Sequence, residues 1–338
     1  MSRPEDLLGP RAQGHPPVRA ELRREPADFE VEERLGFEPD GEGQHALLQV
    51  EKRGLNSDAV AGALARVAGV DGRRVGYSGR KDRHAVTRQW FSVDLAGQAE
   101  PDWHAGLPEG AVLLHATRHR RKLRRGSHQG NRFRLRLRDV EGDDAALEQR
   151  LERVAAEGVP NYFGPQRFGR DGGNLAQARA WFAGERRRGP RDLLLSAARS
   201  RLFNRVLAAR VADGSWQRAH PGEPLMLAGS ASFFIPEEVD ATIEARLKQG
   251  DVHPSGPLWG RGDGPLAPGE AEVLADETAL RAGLEEAGLR LERRSLRLVP
   301  GDFTWWWEDN DLLLAFELPR GAFATAVVRE LADVGEAT

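Results

Sequence analysis

The sequence predicts an α+β protein in which a helix-rich segment interrupts a sheet-forming one. Three observations carry this reading. Residues 128–139, HQGNRFRLRLRD, alternate Phe133, Leu135 and Leu137 with Arg134, Arg136 and Arg138, the period of two of a strand with one apolar and one basic face. From about Asp143 helical patterns take over, and near Arg297 strand patterns return. A helical block between strand-rich flanks reads as an insertion, with the C-terminal strands completing the first sheet. The expected segments are 1–156, 157–303 and 304–338.

In chain order, the opening stretch with RAQGHPPV reads as an irregular lead-in. ALLQVEK (46–52) reads as a strand. SDAVAGALARVAGV follows as a helix, with Val60, Leu64 and Val67 on one face and Ser57 as the N-cap. RRVGYSG is a short strand ending in a glycine turn that sets Lys81 and Asp82 at its lip, and TRQWFSVDL is the next strand. Helices are expected in DDAALEQRLERVAAEG, NLAQARAWFAG, DLLLSAARSRLFNRVLAARVADG, EEVDATIEARLKQ and ETALRAGLEEAG. HPSGPLWGRGDGPLAPGE (253–270) reads as a Gly/Pro-rich loop. Strands resume in LRLVPGDFTWWWEDNDLLLAFELP, and GAFATAVVRELADV closes the chain as a helix. The run Trp305 to Trp307 reads as core or domain-seam packing, because successive strand residues face opposite ways.

Composition narrows the function. A chain of 338 residues has room for about two domains. No run approaches the ~18 apolar residues of a membrane helix, and MSRPEDLLGP has no apolar leader core, so a cytoplasmic protein without a membrane partner is expected. With no cysteine, disulfides, thiolate metal sites and thiol nucleophiles are excluded together. The nine histidines show no H-x-H or H-E-x-x-H spacing, so no metal site is expected.

The net charge of −3 conceals a segregated pattern. Residues 118–138, RHRRKLRRGSHQGNRFRLRLR, contain ten Arg or Lys and no acid. Such a stripe on a balanced protein suggests a polyanion-binding face. The competing reading is a solvated strand and loop in an arginine-rich chain, where Lys occurs only four times.

GYSGRKDRHAVTRQ (76–89) surrounds Asp82 with Arg80, Lys81, Arg83 and His84. It is not a P-loop: Asp82 stands where a P-loop has Ser or Thr, and a carboxylate there repels phosphate. A KH-type clamp through Gly76 and Gly79 needs flanking helices, whereas strands flank this loop. An isolated carboxylate among cations is either a structural ion pair or a nucleophile toward an acetal-like carbon such as a glycosidic C1′. Ordinary glycoside hydrolysis pairs two carboxylates, and only one stands here. Spacing alone leaves both readings open.

The chain also resembles the TruD family of tRNA pseudouridine synthases over nearly its whole length. The resemblance rests on PADFEVEE (26–33), GFEPDGEGQHALLQVEKRG (36–54), SGRKDRHAVTRQW (78–90), HRRKLRRGSHQGNRF (119–133), VPNYFGPQRFGRDGGNL (159–175), LSAARSRLFN (195–204) and LPRGAFATAVVREL (318–331). It implies a permuted pseudouridine-synthase catalytic domain, with a mixed or antiparallel sheet, in segments 1–156 and 304–338. The family's helix-rich TRUD domain is then inserted as 157–303.

By the same resemblance Asp82 matches the nucleophilic aspartate. Phe29, Asn131 and Phe323 match positions that hold the target nucleotide, and Phe133 matches the base-stacking aromatic. Lys81 is a further candidate for substrate binding. Where the family has a lysine six residues before the motif phenylalanine, this chain has Arg23, which keeps the charge, adds a planar fork and is a candidate for substrate binding and for pairing with Asp82. The implied activity is isomerisation of uridine to pseudouridine in tRNA, at position 13 of the D-arm. It is expected to proceed without metal, nucleotide or redox cofactor, in a monomer. The alternatives are a non-catalytic RNA-binding protein using the 118–138 stripe and a nucleoside hydrolase.

Overall fold

The structure, a computed structural model, describes residues 7–95 and 97–336. The first half contains β1 (Val18–Leu22), β2 (Phe29–Arg34), β3 (His45–Arg53), α1 (Ser57–Val67), β4 (Val75–Tyr77), β5 (Val86–Asp94), β6 (Ala111–His119) and β7 (Gly130–Gly142). Next come α2 (Asp144–Glu157), β8 (Val159–Pro160), α3 (Gly173–Phe182), α4 (Arg191–Ala212), β9 (Leu225–Leu227), β10 (Phe233–Phe234) and α5 (Ala241–Gln249). The chain closes with β11 (Val252–Leu258), α6 (Glu270–Val273), α7 (Thr278–Glu286), β12 (Glu292–Ser295) and β13 (Arg297–Leu298). After these come β14 (Gly301–Glu308), β15 (Asp311–Pro319), α8 (Ala324–Leu331) and β16 (Ala332–Glu336). No helix among the described residues is long and apolar enough to cross a membrane.

Two compact units result. One comprises Val18–Asp144, Pro300–Gly321 and Asp333–Thr338. Its core is a ten-stranded sheet with the path β14-β15-β7-β2-β5-β3-β6, to which β1, β4 and β16 are added. The sheet is mixed, since β2 runs parallel to β5 while β7 is antiparallel to β2 and β15. The alternation in β7 explains its central place. Phe133, Leu135 and Leu137 are buried and register with Phe316, Leu314 and Leu312 of β15. Around β3 the apolar side chains Ala46, Leu48 and Val50 meet Val60 and Leu64 of α1 and Phe91 and Val93 of β5. Each buried large aliphatic there contributes about 1.5–3 kcal/mol.

The other unit comprises Met1–Pro17, Ala145–Val299 and Ala322–Ala332. Its core is built on α4, whose Leu194, Leu195, Leu202, Phe203 and Leu207 pack with Leu175 of α3 and Leu280 and Leu284 of α7. It also holds a four-stranded sheet, β10-β9-β11-β12. The compact units change over at Pro17/Val18, Asp144/Ala145, Val299/Pro300, Gly321/Ala322 and Ala332/Asp333, whereas the sequence reading divides the chain only after 156 and 303. The differences lie in α2, which belongs almost entirely to the second unit, and in Met1–Pro17 and Ala322–Ala332 with α8, which belong to it as well.

Several local expectations are corrected. The N-cap of α1 is Asn56, whose side chain accepts from Ala59 N at 2.8 Å; Ser57 is instead buried inside the helix. The lead-in already contains β1, and the closing helix stops at Leu331, after which 332–336 are strand. Residues 252–258 are a buried strand, not loop. Pro254 and Pro257 mask it as loop sequence, but a backbone carbonyl still accepts: Leu296 N donates to Pro254 O at 2.8 Å. The tryptophan run lies on β14 at the end of the sheet path. It is not core: Trp305 and Trp306 are half-buried and Trp307 is 38% exposed. Period two places Trp306 under the guanidinium of Arg134, 5.3 Å from the ring centre.

Candidate active site

Residues 78–85, between β4 and β5, have no regular structure, so side chains fix their course. Ser57 Oγ accepts from Lys81 N at 3.0 Å and donates to Gln89 Oε1 at 2.7 Å, while Gln89 Nε2 donates to Gly79 O. Lys52 Nζ donates to Asp82 O at 2.9 Å, and Arg83 Nε to Gly54 O at 2.9 Å. On the other side the segment before β7 closes in. Gly126 N donates to Ser78 O at 2.7 Å, and the Ser78 and Ser127 hydroxyls lie 3.0 Å apart. A Cβ at Gly76 would fall 2.3 Å from Leu123 O, so only glycine admits this approach.

None of the cations beside Asp82 in sequence forms an ion pair with it among the described residues. Arg80 pairs with Asp58 at 3.1 Å and Lys81 with Glu33 at 2.7 Å. The partner of Asp82 is Arg23, whose Nη2 lies 3.0 Å from Oδ2, with both side chains partly exposed. The other carboxylate oxygen accepts from His84 N at 3.0 Å. Arg23 reaches this position from a left-handed backbone, φ 67°, and its guanidinium lies 4.2 Å above the Phe29 ring. Left-handed geometry costs a non-glycine residue about 1–2 kcal/mol, a cost typical of residues held at functional sites.

Behind the loop lies a buried polar cluster. Lys81 Nζ donates to Asn131 Oδ1 at 2.8 Å while pairing with Glu33, whose side chain is wholly buried. Burial pushes the Glu33 carboxyl above its usual range, against the opposing charge of Lys81. The His128 imidazole is pushed down to about 4 by burial, with the like charges of Lys81 and Arg320 adding to it; it is neutral at pH 7. The ammonium of Lys81 thus faces Asn131 and Glu33, not solvent.

Phe29 and Phe133 are 4% and 6% exposed, and their rings meet edge to face at 6.1 Å. Phe133 in turn stacks on Phe316 at 5.5 Å. The structure therefore brings Arg23, Phe29, Lys81, Asp82, Asn131 and Phe133 into one network of contacts within a single unit. Phe323 belongs to the other unit. There it stands edge-on to Phe163 at 6.2 Å, with the Arg167 guanidinium 5.5 Å from its ring centre.

Much of the basic stripe is neutralised within the fold. Arg118 pairs with Glu100, Arg120 with Glu42, Arg132 with Glu317, Arg136 with Asp311 and Arg138 with Asp28. Arg121, Arg124 and Arg125 are exposed and form no ion pair among the described residues. They sit on the segment that packs against the Asp82 loop.

Sequence reasoning passed over Lys52, Glu33, Ser57 and Gln89 as supports of this loop. Lys52 left a signal: it continues the inward-facing series Ala46, Leu48, Val50, where an apolar residue is due. Ser57 and Gln89 left none, because a buried hydrogen bond between distant residues has no local pattern.

Comparison with known proteins agrees with this architecture. The family model described as tRNA pseudouridine synthase D (TruD) matches residues 11–175 and 188–331. A tRNA pseudouridine synthase D of Methylococcus capsulatus is 51% identical over 333 residues, covering 96% of this chain and 94% of that protein. One from Pseudomonas syringae pv. tomato is 51% identical over 338 residues, with coverage of 97% and 96%. A crystal structure from Methanosarcina mazei, assigned as tRNA pseudouridine synthase D, superposes with a TM-score of 0.73 at 20% identity over 97% of each chain, a likeness of fold. The matched motifs include the loop that carries Asp82 and the strands that hold it, and the chain belongs to the tRNA pseudouridine synthase D (TruD) family.

Proposed function

We propose that Asp82 is the nucleophile of this tRNA pseudouridine synthase and that its target is uridine 13 in the D-arm. The observation that carries the reading is a carboxylate on an irregular loop, oriented by Arg23 on one oxygen and by the His84 N–H on the other. Isomerisation breaks the N1–C1′ bond and forms C5–C1′; C5 loses a proton and N1 gains one. Nothing is oxidised and no water is consumed. One positioned carboxylate can act as a nucleophile at C1′ or at C6, or as a base that abstracts a ribose proton. The target must leave its stack, which costs a few kcal/mol. Phe29, Asn131 and Phe133 are the residues of the sheet unit proposed to hold it, since aromatic faces and phosphate contacts offset that cost.

The test uses folded tRNA labelled in uridine, in EDTA and moderate monovalent salt, with no nucleotide or redox cofactor added. Pseudouridine at position 13 is the expected product. Free uracil would indicate a hydrolase, and unchanged RNA would indicate a non-catalytic binder. A divalent requirement with the tRNA shown to be folded by circular dichroism would overturn the carboxylate-only chemistry.

The unpaired cations beside the Asp82 loop are proposed to meet tRNA phosphates. Replacing Arg121, Arg124 and Arg125 by Gln is expected to lower the log–log salt slope of tRNA binding by about two to three units. Arg120 is left in place because Glu42 already neutralises it. An unchanged slope would return the segment to a solvated face.

Residues 1–156 and 304–338 are proposed to be the permuted catalytic domain and 157–303 the family's insert, in a monomeric cytoplasmic enzyme. Burial of 252–258 narrows the expected site of limited proteolysis to 261–264, where all four residues are exposed. The fragments are expected to co-elute on gel filtration at the mass of one chain. Free release of a folded 1–156 fragment would contradict the insertion.

A further inference from the structure

We infer that Lys52 is a positioning residue for Asp82, fixing the backbone from which the carboxylate projects; this rests on Asp82 being the nucleophile. Lys52 lies on β3 in the inward-facing series of Ala46, Leu48 and Val50, and it is 0% exposed. Its ammonium donates to Leu55 O at 2.7 Å and to Asp82 O at 2.9 Å. Among the described residues it forms no ion pair. An ammonium buried without a carboxylate is unfavourable. Burial, with the like charge of Lys81, pushes it down to about 8 against the opposing charge of Asp82. Fold stability alone would be better served by an apolar side chain of similar length.

What the ammonium does supply is a link between two stretches that lack ladder hydrogen bonds. One is the turn before α1, at Leu55; the other is the loop at Asp82. Holding the Asp82 carbonyl limits rotation about the adjacent backbone bonds and therefore fixes the direction of its Cα–Cβ bond. Arg23 and the His84 N–H then meet the two carboxylate oxygens. Without the link, the carboxylate would drift by a distance that matters, since about 1 Å of misplacement lowers a rate by ~100-fold.

The experiment compares Lys52→Met and Lys52→Gln with the wild-type full chain. It measures single-turnover pseudouridine formation, tRNA Kd and the thermal midpoint. Lys52→Met is expected to slow the single-turnover rate by about 100-fold, with Kd within about threefold and the midpoint unchanged or raised. Lys52→Gln, which keeps N–H donors on a shorter stem, is expected to fall between. If only the Gln variant folds, a slower rate at unchanged Kd supports the inference and an unchanged rate overturns it. Unchanged rates in both variants also overturn it, as does joint loss of rate, affinity and midpoint, or failure of both to fold. Asp82→Asn, run in parallel, separates the two readings. Activity in that variant and in Asp82→Ala would remove the nucleophile itself, whereas an inactive Asp82→Asn beside a fully active Lys52→Met would remove only the role of Lys52.

Discussion

Asp82→Asn is expected to lose pseudouridine formation by at least about four orders of magnitude, or ~5 kcal/mol of transition-state stabilisation. Its tRNA affinity should stay within about tenfold, ~1.4 kcal/mol. The amide is nearly isosteric and can still accept from the His84 N–H, so the loop keeps its course. What it lacks is the negative charge that balances Arg23 and makes the oxygen nucleophilic. Asp82→Ala, measured beside it, excludes slow deamidation as a source of residual rate. Sustained turnover by both variants would remove Asp82 from the chemistry.

The second large effect is expected on stability, at the buried pair of Lys81 and Glu33. Lys81→Met leaves the carboxylate of Glu33, wholly buried on β2, without its cation. Breaking such a pair from one side costs about 3–5 kcal/mol, far above an exposed pair. Urea unfolding at pH 7.5 should show the loss, and adding Glu33→Gln should recover most of it by removing the stranded charge.

The pH dependence has a definite sign. Burial raises the Glu33 carboxyl in the folded protein, and removing Lys81 takes away the charge that opposes this. The folded variant therefore binds a proton at higher pH than its unfolded chain does. Its deficit should shrink as pH falls toward the unfolded carboxyl value of about 4.3. A loss below about 1 kcal/mol, constant with pH, would mean that water reaches the pair.

These two residues show how far the sequence carried. Local patterns were legible where one face of an element is buried. β7 announced itself through Phe133, Leu135 and Leu137, and α4 through its apolar spacing, because burial imposes the period of the backbone on the side chains. β11 was not legible. Its prolines and glycine imitate a loop, and its strand geometry depends on β9 and β12, which lie elsewhere in the chain.

The site divided along the same line. The cations around Asp82 singled it out as an ion pair or a nucleophile, and motif resemblance chose the nucleophile and pointed to Phe29 and Asn131. The local sequence set Arg80, Lys81, Arg83 and His84 beside the carboxylate, and the resemblance put Arg23 in the place of the family's lysine. The fold turned Arg80, Lys81 and Arg83 to Asp58, Glu33 and the Gly54 carbonyl, and brought Arg23 to Asp82 from a preceding segment.

By itself, then, the sequence determined the α+β class, the family and the identity of the candidate nucleophile. These come from periodicity and from residues fixed in local motifs. Tertiary structure alone decided which cation meets Asp82, which arginines of the stripe stay free, and that Lys52 ends beneath the loop. Ion pairs and buried hydrogen bonds are chosen by distance in space, and a folded chain brings together residues whose separation in sequence carries no trace of the contact.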